Sequence, residues 1–183
     1  MNKYVALLRG INVGGKNIIR MTELKSCFET LGLQDVSTYI QSGNVLFSSD
    51  ESDMSRLTDQ IQAGLSKTFN YKSRLVVRSQ KQMKSIVARA PKGFGSKPDT
   101  FRYDVIFLKE PLTAAKAMQS VTTREGVDEA YAGSGVLYFS RLNSKASQSY
   151  LTRIIGLPVY QDMTIRNWNT TTRLFALMEM PNA

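Results

Sequence analysis

The chain has 183 residues, 42% hydrophobic and 21% charged, with 24 Lys and Arg against 15 Asp and Glu, a net charge of +9. This is the balance of a soluble globular protein with room for one large domain or two small ones, and it excludes disordered, collagen-like and disulfide-scaffold chains. With no histidine and a single cysteine, Cys27, the sequence also excludes His-dependent nucleophile systems, imidazole-ligated metals, an intrachain disulfide and a thiolate zinc cluster.

In chain order, residues 3–9 predict a strand. Its apolar run is too short for a signal peptide and ends in Arg9. No stretch reaches the ~18 apolar residues of a membrane span, so the expectation is a cytoplasmic protein with no membrane partner. Leu24, Cys27, Phe28 and Leu31 lie at helical spacing and predict a helix over 22–31, with Cys27 in the core. Strands follow at 36–41 and 44–49, joined by a tight turn at Ser42-Gly43. Met54, Leu57, Ile61 and Leu65 predict a helix over 54–69, and a strand covers 73–78. Ser79 and Gln82, spaced as a capping box, then open a further helix.

The second half repeats this order. Tyr39-Ile40-Gln41-Ser42-Gly43-Asn44-Val45-Leu46-Phe47-Ser48 aligns without a gap on Tyr131-Ala132-Gly133-Ser134-Gly135-Val136-Leu137-Tyr138-Phe139-Ser140. Around it, the pattern predicts strand 101–108, helix 113–120, strands 127–132 and 136–141, helix 148–155 and strand 161–166. Asn167 then caps a last helix. Each half reads βαββαβ plus a helix. The expectation is an α+β fold of two ferredoxin-like repeats with antiparallel sheets, residues 1–90 and 101–183, joined by a linker at 91–100. The first and third strands of each repeat are expected at the sheet centre.

Three motifs carry chemistry. Gly10-Ile11-Asn12-Val13-Gly14-Gly15-Lys16-Asn17 has the spacing of a phosphate-binding P-loop, but Asn17 stands where the magnesium-holding Ser or Thr belongs, and an antiparallel sheet is the wrong setting. The glycines either turn successive N–H groups toward one point as an anion nest, with Arg9 and Lys16 adding charge, or simply permit a tight loop. The predicted topology puts Gln41, Ser42, Gly43 and Asn44 beside this loop, as polar ligand contacts or as a plain hairpin turn. Finally, Arg166-Asn167-Trp168 offers a helix start, a positive charge and the only tryptophan, either for an anion and a stacking partner or as a cap and a packing plug. The candidate ligand-binding residues are therefore Arg9, Asn12, Gly14, Gly15, Lys16, Asn17, Gln41, Ser42, Asn44, Arg166, Asn167 and Trp168. No metal site, catalytic residue or cofactor is assigned.

Leu7 through Asn17, Thr38 through Val45 and Arg166-Asn167-Trp168-Asn169-Thr170 resemble the bacterial domain-of-unknown-function 1697 family across essentially the whole chain. The chain departs from that pattern at Thr171-Thr172-Arg173-Leu174 and at Ser144-Lys145-Ala146. The resemblance implies a single-chain cytoplasmic α+β protein and a site location, not a reaction. The functional expectation is binding of a phosphate- or nucleotide-containing anion, or of nucleic acid, at the glycine-rich loop. The alternatives are an enzyme acting on a small phosphorylated or carboxylated substrate, or a non-catalytic interaction module.

Overall fold

Alternation along the first strand sets the architecture. In β1 (Asn2–Arg9), Tyr4, Ala6 and Leu8 belong to one core, and Val5 and Leu7 are buried on the opposite face, the period of two that a strand imposes. The computed structural model describes residues 1–181. β1 is followed by α1 (Met21–Thr30), β2 (Gln34–Tyr39), β3 (Asn44–Ser49), α2 (Met54–Phe69), β4 (Arg74–Ser79) and α3 (Gln80–Ala88). The second half runs β5 (Phe101–Leu108), α4 (Ala114–Ser120), β6 (Asp128–Ala132), β7 (Val136–Leu142), α5 (Leu151–Ile155), β8 (Met163–Asn167) and α6 (Trp168–Glu179).

Two four-stranded sheets result, ordered β2-β3-β1-β4 and β6-β7-β5-β8, with every pairing antiparallel. The first and third strands of each repeat are central, as the βαββαβ order requires. An all-antiparallel sheet also removes the P-loop reading, because that motif needs a parallel strand–loop–helix setting. The correspondence reaches single bonds. Leu8 donates its N–H to Gly43 O at 2.8 Å, and Leu108 donates to Gly135 O at 3.0 Å.

The first core places Leu24, Cys27 and Phe28 of α1 and Leu57, Ile61 and Leu65 of α2 on Tyr4, Ala6, Leu8, Val45, Phe47, Leu75 and Val77. Each Val, Leu, Ile and Phe among them contributes about 1.5–3 kcal/mol when fully buried. The Asp53 carboxylate caps α2 by accepting from Ser55 N at 2.9 Å and Arg56 N at 3.1 Å. Ser79 and Gln82 form the expected reciprocal box: Gln82 N donates to Ser79 Oγ at 3.2 Å, and Ser79 N donates to Gln82 Oε1 at 2.9 Å. The second core sets Ala117, Leu151 and Ile154 on Ile106, Leu108, Leu137, Phe139 and Met163.

The chain divides into two compact units, Met1–Met83 with the segment from Leu174, and Lys84–Arg173. The C-terminal segment thus groups with the first repeat. Gln80 Nε2 donates to Met178 O at 2.9 Å, and the Lys3 ammonium donates to Met180 O. Several element boundaries differ from the sequence reading, and two of the differences have a visible cause. The strand expected over 36–41 stops at Tyr39, because Ile40 turns to φ +50°. The helix expected over 148–155 begins only at Leu151, after a 3-10 segment, Asn143–Gln148, that is broken by non-helical backbone at Lys145. There the Asp128 carboxylate takes the Tyr150 N–H at 2.8 Å and the Arg124 N–H at 3.0 Å, fixing the chain ahead of α5.

Candidate functional site

The glycine-rich segment after β1 closes as a miniature hairpin. Val13 and Lys16 form an isolated antiparallel bridge, with Lys16 N donating to Val13 O at 3.1 Å and Asn12 N donating to Asn17 O at 3.1 Å. Gly14 and Gly15, at φ +59° and +72°, supply the two positive-φ central residues that a type I′ turn demands. The loop is therefore a tight turn, and the amides of Asn12 and Lys16 are spent inside it. Those of Gly14 and Gly15 donate to no protein acceptor among the described residues, and both glycines are exposed. Lys16 beside them is exposed and forms no ion pair among the described residues.

Asn12 and Asn17 hold the turn in place. Asn17 Nδ2 donates to Gly10 O at 2.9 Å. The Asn12 side chain does more: Nδ2 donates to Ile19 O and to Gln41 O, both at 3.0 Å, and Oδ1 accepts from Ile19 N at 2.8 Å. One amide thus ties the glycine turn to the chain entering α1 and to the β2–β3 corner. The corner presses on it directly. A Cβ on Gly43 would lie 2.8 Å from both Leu8 Cβ and Ile11 Cδ1, so only glycine fits there. Asn44 is buried and serves its own turn, with Nδ2 donating to Tyr39 O and Ser42 Oγ, each at 3.0 Å. Gln41 and Ser42 are exposed.

Arg9 ends β1 directly opposite Arg74 of β4, both half-buried. The register thus sets two positively charged residues at opposed positions at the end of β1 from which the turn departs. Nothing in the sequence pattern paired Arg74 with Arg9, because the register of β1 on β4 is a long-range property.

The third motif lies in the second unit. Asn167 is the cap foreseen for α6, its Oδ1 accepting from Thr170 N at 2.7 Å. Trp168 meets Phe94 edge to face, ring centroids 5.1 Å apart at 88°, and Phe94 also meets Tyr103 and Tyr138 at 4.9 and 5.4 Å. A Cβ on Gly95 would come within 2.3 Å of Trp168 Nε1. The indole is therefore a packing partner of the 91–98 segment. Arg166 donates from Nη1 to Ile165 O at 2.9 Å, and burial lowers its guanidinium to about 10, with Tyr160 acting in the opposite direction.

The sequence reading missed a polar group on the helix-covered face of the second sheet. Asp104 and Asp128 are buried, with Asp104 Oδ2, Asp128 Oδ1 and Arg141 Nε unpaired among the described residues. Burial raises the Asp104 carboxyl, and Arg102 and Arg141 partly counter it. It also missed three exposed aliphatic residues beside the glycine turn, Val13, Ile18 and Ile40. Among the described residues, no group of three or more His, Cys, Asp or Glu side chains is placed to hold a metal ion, and no helix is long and apolar enough to cross a membrane.

Comparison with known proteins places the fold. The chain is similar to the conserved bacterial protein SP0830 from Streptococcus pneumoniae, a solved structure, with 24% identity, 98% of this chain and 99% of that chain covered, and a TM-score of 0.84. At that identity the likeness speaks for the fold alone. No curated protein matches the chain. The model of the family described as "Protein of unknown function (DUF1697)" matches residues 1–138, which include the glycine turn, the β2–β3 corner, all of the first sheet and β5, β6 and the start of β7, and the chain belongs to that family.

Proposed function

We propose that this protein binds an anionic, phosphate-bearing ligand at the glycine turn of the first unit. The observation that carries the reading is the pair of exposed, undonated amides at Gly14 and Gly15 beside exposed Lys16. Backbone N–H groups at a tight turn, with a cation alongside, are the elements from which phosphate sites are built. Asn12 supplies the pre-organisation, since its three hydrogen bonds hold the turn against the Gln41 corner before any ligand arrives. Arg9 at the strand end and the net charge of +9 favour the approach of an anion.

Nucleic acid is the weaker form of the same reading. Sheet-face recognition of bases needs exposed aromatic rings on the central strands, whereas Tyr4, Phe47, Tyr138 and Phe139 are buried.

The test is titration with inorganic phosphate and with AMP, followed through the backbone amide resonances of Gly14 and Gly15. Both resonances should move, and Lys16→Ala should weaken binding severalfold. Shifts confined to other residues, or unchanged affinity in Lys16→Ala, would overturn the proposal. A steep fall of polynucleotide affinity with salt, alongside weak AMP binding, would favour nucleic acid instead.

A further inference from the structure

Asn12 joins three stretches of chain, and each carries an exposed aliphatic residue next to the point of attachment. Val13 adjoins Asn12 itself and is 66% exposed; Ile18 adjoins Ile19 and is 75% exposed; Ile40 adjoins Gln41 and is 50% exposed. Among the described residues seven large hydrophobic side chains are exposed, and these are three of them. Grouping of this kind marks a binding surface more often than scattered exposure does.

Ile40 adds a second, independent observation. Five non-glycine residues have positive φ: Asn12, Asn17, Asp35, Asn70 and Ile40. Four are Asn or Asp, which tolerate the left-handed region. A β-branched residue there is strained by roughly 1–2 kcal/mol, the cost typical of that region. The core does not explain its presence, because half the side chain faces solvent.

We infer that the anion bound at the glycine turn carries an apolar substituent, and that Val13, Ile18 and Ile40 receive it while the Gly14 and Gly15 amides and Lys16 hold the phosphate. The inference rests on the phosphate-binding reading above and narrows it to amphiphilic phosphate esters. Charge complementarity chooses this occupant: Val13 and Ile18 flank Lys16 along the chain and Arg20 follows Ile19, both cations are exposed, and no acidic residue lies between Arg9 and Arg20. A second copy of this chain would bring the same positive charge to the patch.

The experiment compares inorganic phosphate with ethyl, butyl and hexyl phosphate, all below their aggregation limits, using the intact chain and the Gly14 and Gly15 resonances. Full burial of a methylene strengthens binding by roughly fourfold, so partial burial over the four methylenes between ethyl and hexyl should give at least about a tenfold preference. Ile40→Asn should reduce the hexyl-to-ethyl ratio toward one while raising thermal stability, because Asn relieves the strained backbone. A residue kept only for packing would lose stability on the same change. Ile18→Ser provides a second variant without backbone strain and should also lower the ratio.

Binding of inorganic phosphate with equal ethyl and hexyl affinities would overturn the inference and leave the phosphate reading standing. No response to any phosphate would overturn both. Vesicles of phosphatidylcholine with and without phosphatidic acid separate the two sources of such a ligand. Binding only to phosphatidic acid vesicles, lost in Ile40→Asn, identifies a lipid headgroup, whereas hexyl preference without vesicle binding identifies a free ester.

Discussion

Arg78 and Arg166 hold the same place in the two repeats. Arg78 pairs with Val5 and Arg166 with Val105, on the fourth strand of each sheet, and each donates from Nη1 to the carbonyl of the residue before it, Val77 or Ile165, at 2.9 Å. A residue retained at one register position with one bonding pattern in both halves is acting on the fold. Arg78→Met and Arg166→Met should therefore each lower unfolding stability by about 1–3 kcal/mol, the range for losing a charge-assisted hydrogen bond. Urea denaturation checks this.

Gly95 and Gly126 give a paired test of steric fit. Both have positive φ, +83° and +69°, so alanine strains the backbone at either. Only at Gly95 would the new Cβ also collide with Trp168, whose Nε1 would be 2.3 Å away, while at Gly126 nothing lies within 4 Å. Gly126→Ala should cost about 1 kcal/mol, and Gly95→Ala about 3 kcal/mol or more. Thermal unfolding gives the difference. Trp168, the single tryptophan, should report the Gly95 change as a fluorescence shift.

Asp104 makes stability depend on pH in a defined direction. Its folded carboxyl is raised above 3.8, chiefly by burial, so the folded state holds its proton more tightly than the unfolded chain. This contribution is fully present below 3.8 and is lost as pH rises through the folded value. Asp104→Asn should therefore match the parent at pH 3 and exceed it at pH 7. An effect on the order of 1 kcal/mol would appear as a rise of about 2–4 °C in Tm. Melting curves across that range decide it.

Asn12 should prove costly to replace. Its side chain makes three hydrogen bonds to backbone groups of two other stretches, and its φ of +52° suits Asn better than Ala. Asn12→Ala should destabilise the protein by about 2–4 kcal/mol and weaken phosphate binding even where the fold persists. Hydrogen exchange at Ile19, whose amide donates to Asn12, should accelerate.

The sequence pattern carries the repeats, because burial of α1 and α2 on the first sheet follows from helical spacing, and the strand order follows from βαββαβ. The caps read at Ser79 and Asn167 are local bonds spanning three residues. The site is less visible for the opposite reason. The tie from Asn12 to Gln41 crosses 29 residues, and no periodicity announces it. Ile40 reads as the next residue of a strand, and only the closed corner turns it to positive φ. Asp104, Asp128 and Arg141 look like ordinary surface charges until their register brings them to one buried face. The glycines suggest a nest and fold as a type I′ turn, because Val13 and Lys16 bridge across them.

The C-terminal segment has a consequence for the order of synthesis. Residues from Leu174 belong to the first unit, where Lys3 reaches Met180 and Gln80 reaches Met178. On the ribosome, both sheets emerge before this segment does. The half of the protein made first is therefore the half completed last, and until then Lys3 and Gln80 lack the backbone carbonyls they ultimately hold.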